Sequence, residues 1–404
     1  MAHVFQTYKV LSAFAAKTTL KCLIWPSKPL LQVRTLYSPV TLGIDAYIQQ
    51  RARTDAQLGN ISEKFRIKME EYASENSKNM IFTEDLKNMI HLATEDDITL
   101  IIQMMNKFNE QNKQLRFGNF VFGPVVMRML HHLQKPAIAL ECFNSPKLEG
   151  FFEQLITYQL LLDLLYEHKM YKEMLTTYEK IQSRQIEGTK YPRNIIVLLM
   201  AACYKLNTAD SCKYALSVWN CLKDAGHFPM RRATTFCAAL AVNHNQPEAC
   251  IEILANTKNQ NYTTVRNLKA IALTRIGRLD ETVNLLKSVL EGEGNVKQTF
   301  NREVIEEVHA AVEKSGNASL LQELNRIEKY FTEQGHIHEG SLDKQLCEEI
   351  KPPPFLTENN RQFTNRHNSY NQRSNQGNYR YNRYERDDGQ QMRKQQRPGL
   401  SEMS

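Results

Sequence analysis

The 404-residue sequence predicts an all-α chain: an α-solenoid of antiparallel helix pairs with disordered N- and C-terminal ends. Three observations predict it. One apolar helix-face pattern recurs every 32 to 41 residues. Gly (16) and Pro (13) are too few, for so long a chain, to make the turns that many strands need. The excess positive charge sits at the two ends, leaving a body of ordinary globular composition.

The N-terminal end reads as an address. Residues 1–44 carry Lys9, Lys17, Lys21, Lys28 and Arg34, and no acid precedes Asp45. Apolar residues recur between Lys9 and Lys21, so a short amphipathic helix is expected. This is the composition of a mitochondrial presequence, and it directs the chain to the matrix. Arg34-Thr35-Leu36 ahead of Tyr37-Ser38 has Arg three residues before a cut after Leu36, with further trimming of Tyr37 as a variant. Residues 1–37 are therefore assigned to the leader. Residues 45–79 follow as an N-terminal helical cap or linker.

The repeat array is expected over residues 80–348. Its second-helix pattern has a small or apolar residue at position 0 and apolar residues at 1, 3, 4 and 7, which is one face of a helix. The anchors are Ile101, Ala139, Met174, Ala215, Cys250, Thr282 and Leu320, spaced by 38, 35, 41, 35, 32 and 38 residues. An apolar first helix precedes each, as in Tyr158 to Tyr166 or Ile195 to Tyr204. One such pair cannot bury its apolar face alone, so neighbours stack. A compact helical bundle is the competing architecture.

The clearest repeat, residues 155–189, contains Ile156 to Gln185, ITYQLLLDLLYEHKMYKEMLTTYEKIQSRQ. It has a hydroxyl-aromatic opening at Thr157-Tyr158, an apolar first helix, a basic turn and a second helix. On these residues, and on the turn Ile276-Gly277-Arg278-Leu279-Asp280-Glu281, the chain resembles the pentatricopeptide repeat family. Tetratricopeptide repeats share that turn, but their Trp, Gly, Tyr, Ala and Pro signature is absent. Phe122-Gly123-Pro124, Leu148-Glu149-Gly150-Phe151-Phe152, Cys203-Tyr204-Lys205-Leu206-Asn207, Arg231-Arg232-Ala233 and Ser341-Leu342-Asp343, in this order, resemble animal mitochondrial members. The resemblance implies binding of single-stranded mitochondrial RNA and a role in RNA maturation that supports the respiratory chain. A processing nuclease is the implied partner.

In that family each repeat reads about one base with side chains of the first helix and the repeat junction. Counting fifteen residues back from the anchor puts the base-facing slot at Gln159 and at Asn267, amides that offer donor and acceptor together. The count gives Pro124 upstream. In the 41-residue repeat, inserted residues near Asn207 to Asp210 leave Val197 in the slot by helix alignment. The Cys250 repeat leaves a choice of Thr235 or Cys237. Cations for the phosphates are Arg231 and Arg232 first, then Lys190, Arg193, Lys258, Arg266, Lys269, Arg275 and Arg278. Residues 45–358 are net −3, so the body is no general polyanion binder and RNA must follow a local stripe.

Pro352-Pro353-Pro354 opens the tail, residues 349–404. Residues 359–399 hold eight Asn, seven Gln, eight Arg and four Tyr, which cannot bury enough apolar surface to fold. Tyr rings that stack on bases interleave with Arg that pairs with phosphates, as at Tyr379, Arg380, Tyr381 and Arg383. The tail is expected to tether RNA.

Catalytic and metal motifs are missing. The sequence has no GxxxxGK[ST], HExxH or GxSxG. The eight Cys form no CxxC and are read as reduced thiols. His336-Ile337-His338 with Glu339 is read as a surface feature. No apolar run approaches the ~18 residues of a spanning helix. The expectation is a non-enzyme with no cofactor and no metal. A protein–protein scaffold is the alternative, because helical solenoids also present grooves to peptides. Carboxylates converging in one pocket would revive a nuclease.

Overall fold

In the computed structural model the described residues are 35–74, 77–115, 120–290 and 298–351. Most of the leader, and the whole tail from 352 with Tyr379, Arg380, Tyr381 and Arg383, lie outside them.

Three helices open the described chain, α1 (Pro39–Leu42), α2 (Ile44–Leu58) and α3 (Ser62–Ala73). Helix pairs follow. They are α4 (Thr83–Leu92) with α5 (Ile98–Leu115), α6 (Gly123–His132) with α7 (Pro136–Asn144), and α8 (Leu155–Glu167) with α9 (Tyr171–Arg184). Next come α10 (Arg193–Leu206) with α11 (Ala209–Asp224), α12 (Arg231–Asn243) with α13 (Pro247–Ala255), and α14 (Thr263–Ile276) with α15 (Leu279–Lys287). The last pair is α16 (Arg302–Ser315) with α17 (Ala318–Gln334), and a short α18 (Leu342–Leu346) ends the body. The strands, β1 (Phe300–Asn301) and β2 (Ile337–His338), form one small parallel pair.

Every expected anchor falls on a second helix and is buried: Ile101, Ala139, Met174, Ala215, Cys250, Thr282 and Leu320. Burying such apolar side chains supplies roughly 1.5–3 kcal/mol each for the larger ones, so the periodic stripe drives the stacking. Of the cysteines, Cys142, Cys203, Cys212, Cys237 and Cys250 are buried. Burial pushes the Cys203 and Cys250 thiols up to about 12, which keeps them unreactive.

The turn inside the last five pairs is constant. Sixteen residues separate the starts of the two helices in five successive pairs: Leu155 and Tyr171, Arg193 and Ala209, Arg231 and Pro247, Thr263 and Leu279, Arg302 and Ala318. A left-handed residue lies two positions before each of these second helices: Lys169, Asn207, Asn245, Gly277 and Gly316, with φ of 60°, 47°, 53°, 89° and 71°. That conformation closes the first helix, as where the Asn207 amide donates to the Cys203 carbonyl. Gly277 and Gly316 adopt it without the Cβ penalty that Lys169 bears. This regularity corrects one expectation. No residues are inserted near Asn207 to Asp210. The counterpart of Met174 is the buried Cys212, one turn before Ala215.

Three of the first helices, α8, α10 and α12, are buried on every side through their middle turns. In α8 each residue from Thr157 to Glu167 is buried, in α10 from Ile195 to Cys203, and in α12 from Ala233 to Val242. A two-layer solenoid would leave one of their faces open. Here the chain's own ends cover it. Helix α1 packs on α8, α2 on α4 and α6, and α18 on α12 and α14. The two covering segments meet: the Ser38 amide donates to the Ile350 carbonyl (3.2 Å) and the Ile350 amide to the Leu36 carbonyl (2.8 Å). Leu36 and Tyr37, assigned above to the leader, are both buried in this body.

Candidate nucleic-acid interface

With the broad face of these first helices covered, their ends reach solvent, and the N-terminal ends form one accessible edge. Helices α8, α10, α12 and α14 share a local feature there: none has an acid in its first turn, and none has a side chain capping its N-terminus. The second helices differ. Helices α9, α11, α13 and α15 carry Glu173, Asp210, Glu248, and Asp280 with Glu281 in their first turns. Uncapped backbone N–H groups and the positive end of the helix dipole favour an anion. The first-helix edge keeps that capacity, whereas the second helices meet it with their own carboxylates.

Aromatic and cationic side chains line this edge. The Lys190 Nζ lies 5.4 Å from the Tyr191 ring centroid, and that ring meets His227 edge-on at 5.4 Å. The Arg231 guanidinium covers the Tyr262 ring at 4.1 Å, and Lys258 lies 5.9 Å from Phe228. Phe228 is 65% exposed and Tyr262 43%. Both are large apolar surfaces turned to solvent beside a cation, which is what base stacking requires. Each aromatic comes shortly before a first helix: Tyr191 two residues ahead of α10, Phe228 three ahead of α12, Tyr262 one ahead of α14. That offset, an aromatic one to three residues ahead of a first helix, is a sequence signal distinct from the slots within the helices.

Gln159 lines a cavity of about 700 Å³ with Tyr191, Asn194, His227 and Met230. Its Oε1 accepts from Asn194 Nδ2 at 2.9 Å, while its Nε2, in a residue only 5% exposed, has no partner. An unpaired buried donor costs roughly 1–3 kcal/mol, so the site is set up for an acceptor.

The other expected site residues part company here. Asn267 occupies the same helix position as Gln159, four residues after the helix start, but it is fully buried. Its Nδ2 donates to the Thr263 carbonyl (2.7 Å), and its Oδ1 accepts from the Asn301 amide (2.9 Å). It is a structural clasp between α14 and β1, so the base slot does not carry over. Val197 and Thr235, at the equivalent position in α10 and α12, are buried too. Arg231 lies on the edge, but Arg232 points the other way. Its Nη1 donates to the carbonyls of Gln345 (3.1 Å) and Leu346 (2.7 Å), clamping α18. Arg266 is buried, Arg275 pairs with Glu307, and Arg278 pairs with Glu281. Lys269 is half-buried in the middle of α14, and Lys190, Arg193, Arg231 and Lys258 remain near the starts of α10, α12 and α14.

The fold and the edge together define a helical-repeat protein with an accessible, cation- and aromatic-lined rim. No family model matches the chain. It is similar to pentatricopeptide repeat-containing protein 2, mitochondrial, of Xenopus laevis, with 24% identity over 272 residues, 66% of this chain and 70% of that protein. The protein of that name from Danio rerio is 27% identical over the same shares. The Homo sapiens protein is 25% identical over 323 residues, 79% of this chain and 81% of that protein. All are named as mitochondrial, in agreement with the address read from the N-terminus. No helix among the described residues is long and apolar enough to cross a membrane.

Proposed function

We propose that the chain is a non-catalytic RNA-binding protein of the mitochondrial matrix that acts in transcript maturation, and through it in respiratory-chain function. Single-stranded RNA lies along the edge formed by the starts of α8, α10, α12 and α14. The observation that carries this reading is the run of four uncapped, acid-free helix N-termini with Tyr191, Phe228 and Tyr262 set between them. Phosphates meet the N-termini and Lys190, Arg193, Arg231 and Lys258. Bases stack on the exposed rings of Phe228 and Tyr262, each worth roughly 1–3 kcal/mol, and one base edge offers an acceptor to Gln159.

The names of the similar proteins support single-stranded RNA as the ligand, because pentatricopeptide arrays bind single strands, while the burial of Val197, Thr235 and Asn267 leaves contact along the edge rather than base by base. A peptide scaffold is less favoured, since the face on which a peptide would lie is covered by residues 36–58 and 341–350. Processing of the transcript then falls to a recruited nuclease or to a change in RNA shape. In this reading the leader ends upstream of Leu36, because a cut after Tyr37 removes two buried side chains and the acceptor of the Ile350 amide.

Crosslinking of RNA to the protein inside mitochondria, followed by sequencing, tests the proposal. Wild type, an Arg231→Ala/Tyr262→Ala chain and a chain lacking residues 359–399 are compared. Mitochondrial transcripts are expected with wild type and strongly reduced in the edge variant. Full recovery with the edge variant, lost only on tail deletion, moves binding to the tail. No enrichment with wild type ends the RNA reading.

A further inference from the structure

His131 lies in the last turn of α6, and Asp163 and Glu167 lie one turn apart on the same face of α8. All three are buried, at 4%, 0% and 5% exposure. Their donor atoms converge. His131 Nε2 is 3.3 Å from Asp163 Oδ2 and 3.6 Å from Glu167 Oε1, and all three atoms lie within 4.8 Å of one another.

Hydrogen bonding alone does not satisfy this arrangement. One imidazole nitrogen carries at most one hydrogen, yet it faces two carboxylate oxygens. Charge-assisted N–H···O bonds run about 2.7–2.9 Å, and neither contact is that short. The edge of a zinc tetrahedron built on bonds of about 2.0–2.2 Å is about 3.3–3.5 Å, close to what is seen. A dication held by two carboxylates and a neutral imidazole makes a cluster of zero net charge, which burial favours.

The outward-facing oxygens are held as those of metal ligands are. Asp163 Oδ1 accepts from the Tyr37 amide at 3.2 Å, and Glu167 Oε2 accepts from Gln134 Nε2 at 3.2 Å. Such outer contacts orient carboxylates toward an ion.

We propose that His131, Asp163 and Glu167 form a structural site for one divalent ion of the zinc class. The ion staples α6 to α8 and, through Asp163, seats Tyr37 and the N-terminal covering segment. Three protein ligands leave the fourth position to water, but burial of all three bars a substrate from the ion, so the site is structural rather than catalytic. The inference stands apart from the RNA reading.

The test is metal content of the untagged full chain, grown with zinc, dialysed exhaustively and measured by elemental mass spectrometry. Close to one zinc per chain is expected. Asp163→Asn and Glu167→Gln should each lower it at least about tenfold. Glu167→Gln keeps shape and the Gln134 contact, and circular dichroism checks that it folds. Cobalt substitution gives a readout free of variants: visible d–d bands without a thiolate charge-transfer band are expected. Zinc retained in both carboxylate variants, a thiolate band, or a folded zinc-free chain whose melting midpoint zinc does not raise would each overturn the site.

Discussion

Asn194 at the start of α10 donates its side-chain amide to Gln159 at the start of α8, at 2.9 Å. The bond joins two neighbouring first helices at their accessible ends. It also orients Gln159: its oxygen is engaged by Asn194, and the Nε2 donor is the group left without a partner.

Gln159→Ala should therefore weaken binding of the preferred RNA about fivefold, the effect of one hydrogen bond of about 1 kcal/mol. The preference among sequences should flatten at the same time. Equilibrium binding to a panel of single-stranded RNAs reads both. Wild-type affinities across the panel would remove Gln159 from the site.

Asn267→Leu should behave oppositely. It leaves the buried Asn301 amide without its acceptor, at a cost of about 1–3 kcal/mol. The denaturant midpoint should fall while RNA affinity stays within about twofold, since the residue is on no surface. A loss of affinity in a chain of unchanged stability would return Asn267 to the interface.

Two adjacent arginines should separate cleanly. Arg231→Ala should lower the slope of log affinity against log salt by about one, the loss of one phosphate contact. Arg232→Ala should leave that slope unchanged and lower the melting midpoint, because the carbonyls of Gln345 and Leu346 lose a charged donor worth about 1.5–3 kcal/mol. Salt titrations and thermal melts of the two variants check this. The reversed pattern would place the interface on the α18 side.

His91 on α4 carries a pH prediction. Burial, with Lys87 and Arg51 nearby, lowers its imidazole to about 4 from the usual 6.5. The ring stacks on Tyr47 of α2 at 5.2 Å. The unfolded chain takes up a proton near pH 6.5 and the folded chain only near 4. Its contribution to stability is thus full above about pH 6.5 and is lost as pH falls toward 4. Melting midpoints at pH 7 and pH 5 should differ less in His91→Gln than in wild type. An equal difference would mean that His91 charges freely in the folded state.

The sequence by itself determined the helix pairs. Met174, Cys250 and Thr282 could be placed on second helices because burial of one helix face repeats every 3.6 residues, a short-range pattern. The Gly277 turn was legible for the same reason. What only the tertiary structure decided is where the first helices face. The Tyr37 amide reaches Asp163 across 126 positions, and Arg232 reaches Leu346 across 114. No local period encodes such contacts, yet they fold both ends of the body over the first helices. That cover lies over the first helices that carry Val197 and Thr235, whereas Asn267 is held by Asn301 of the next pair, and His131 meets Asp163 and Glu167 because α6 and α8 stack as neighbours, 32 and 36 positions apart. Which slots reach the surface was set by these tertiary contacts, not by the period of the helix face.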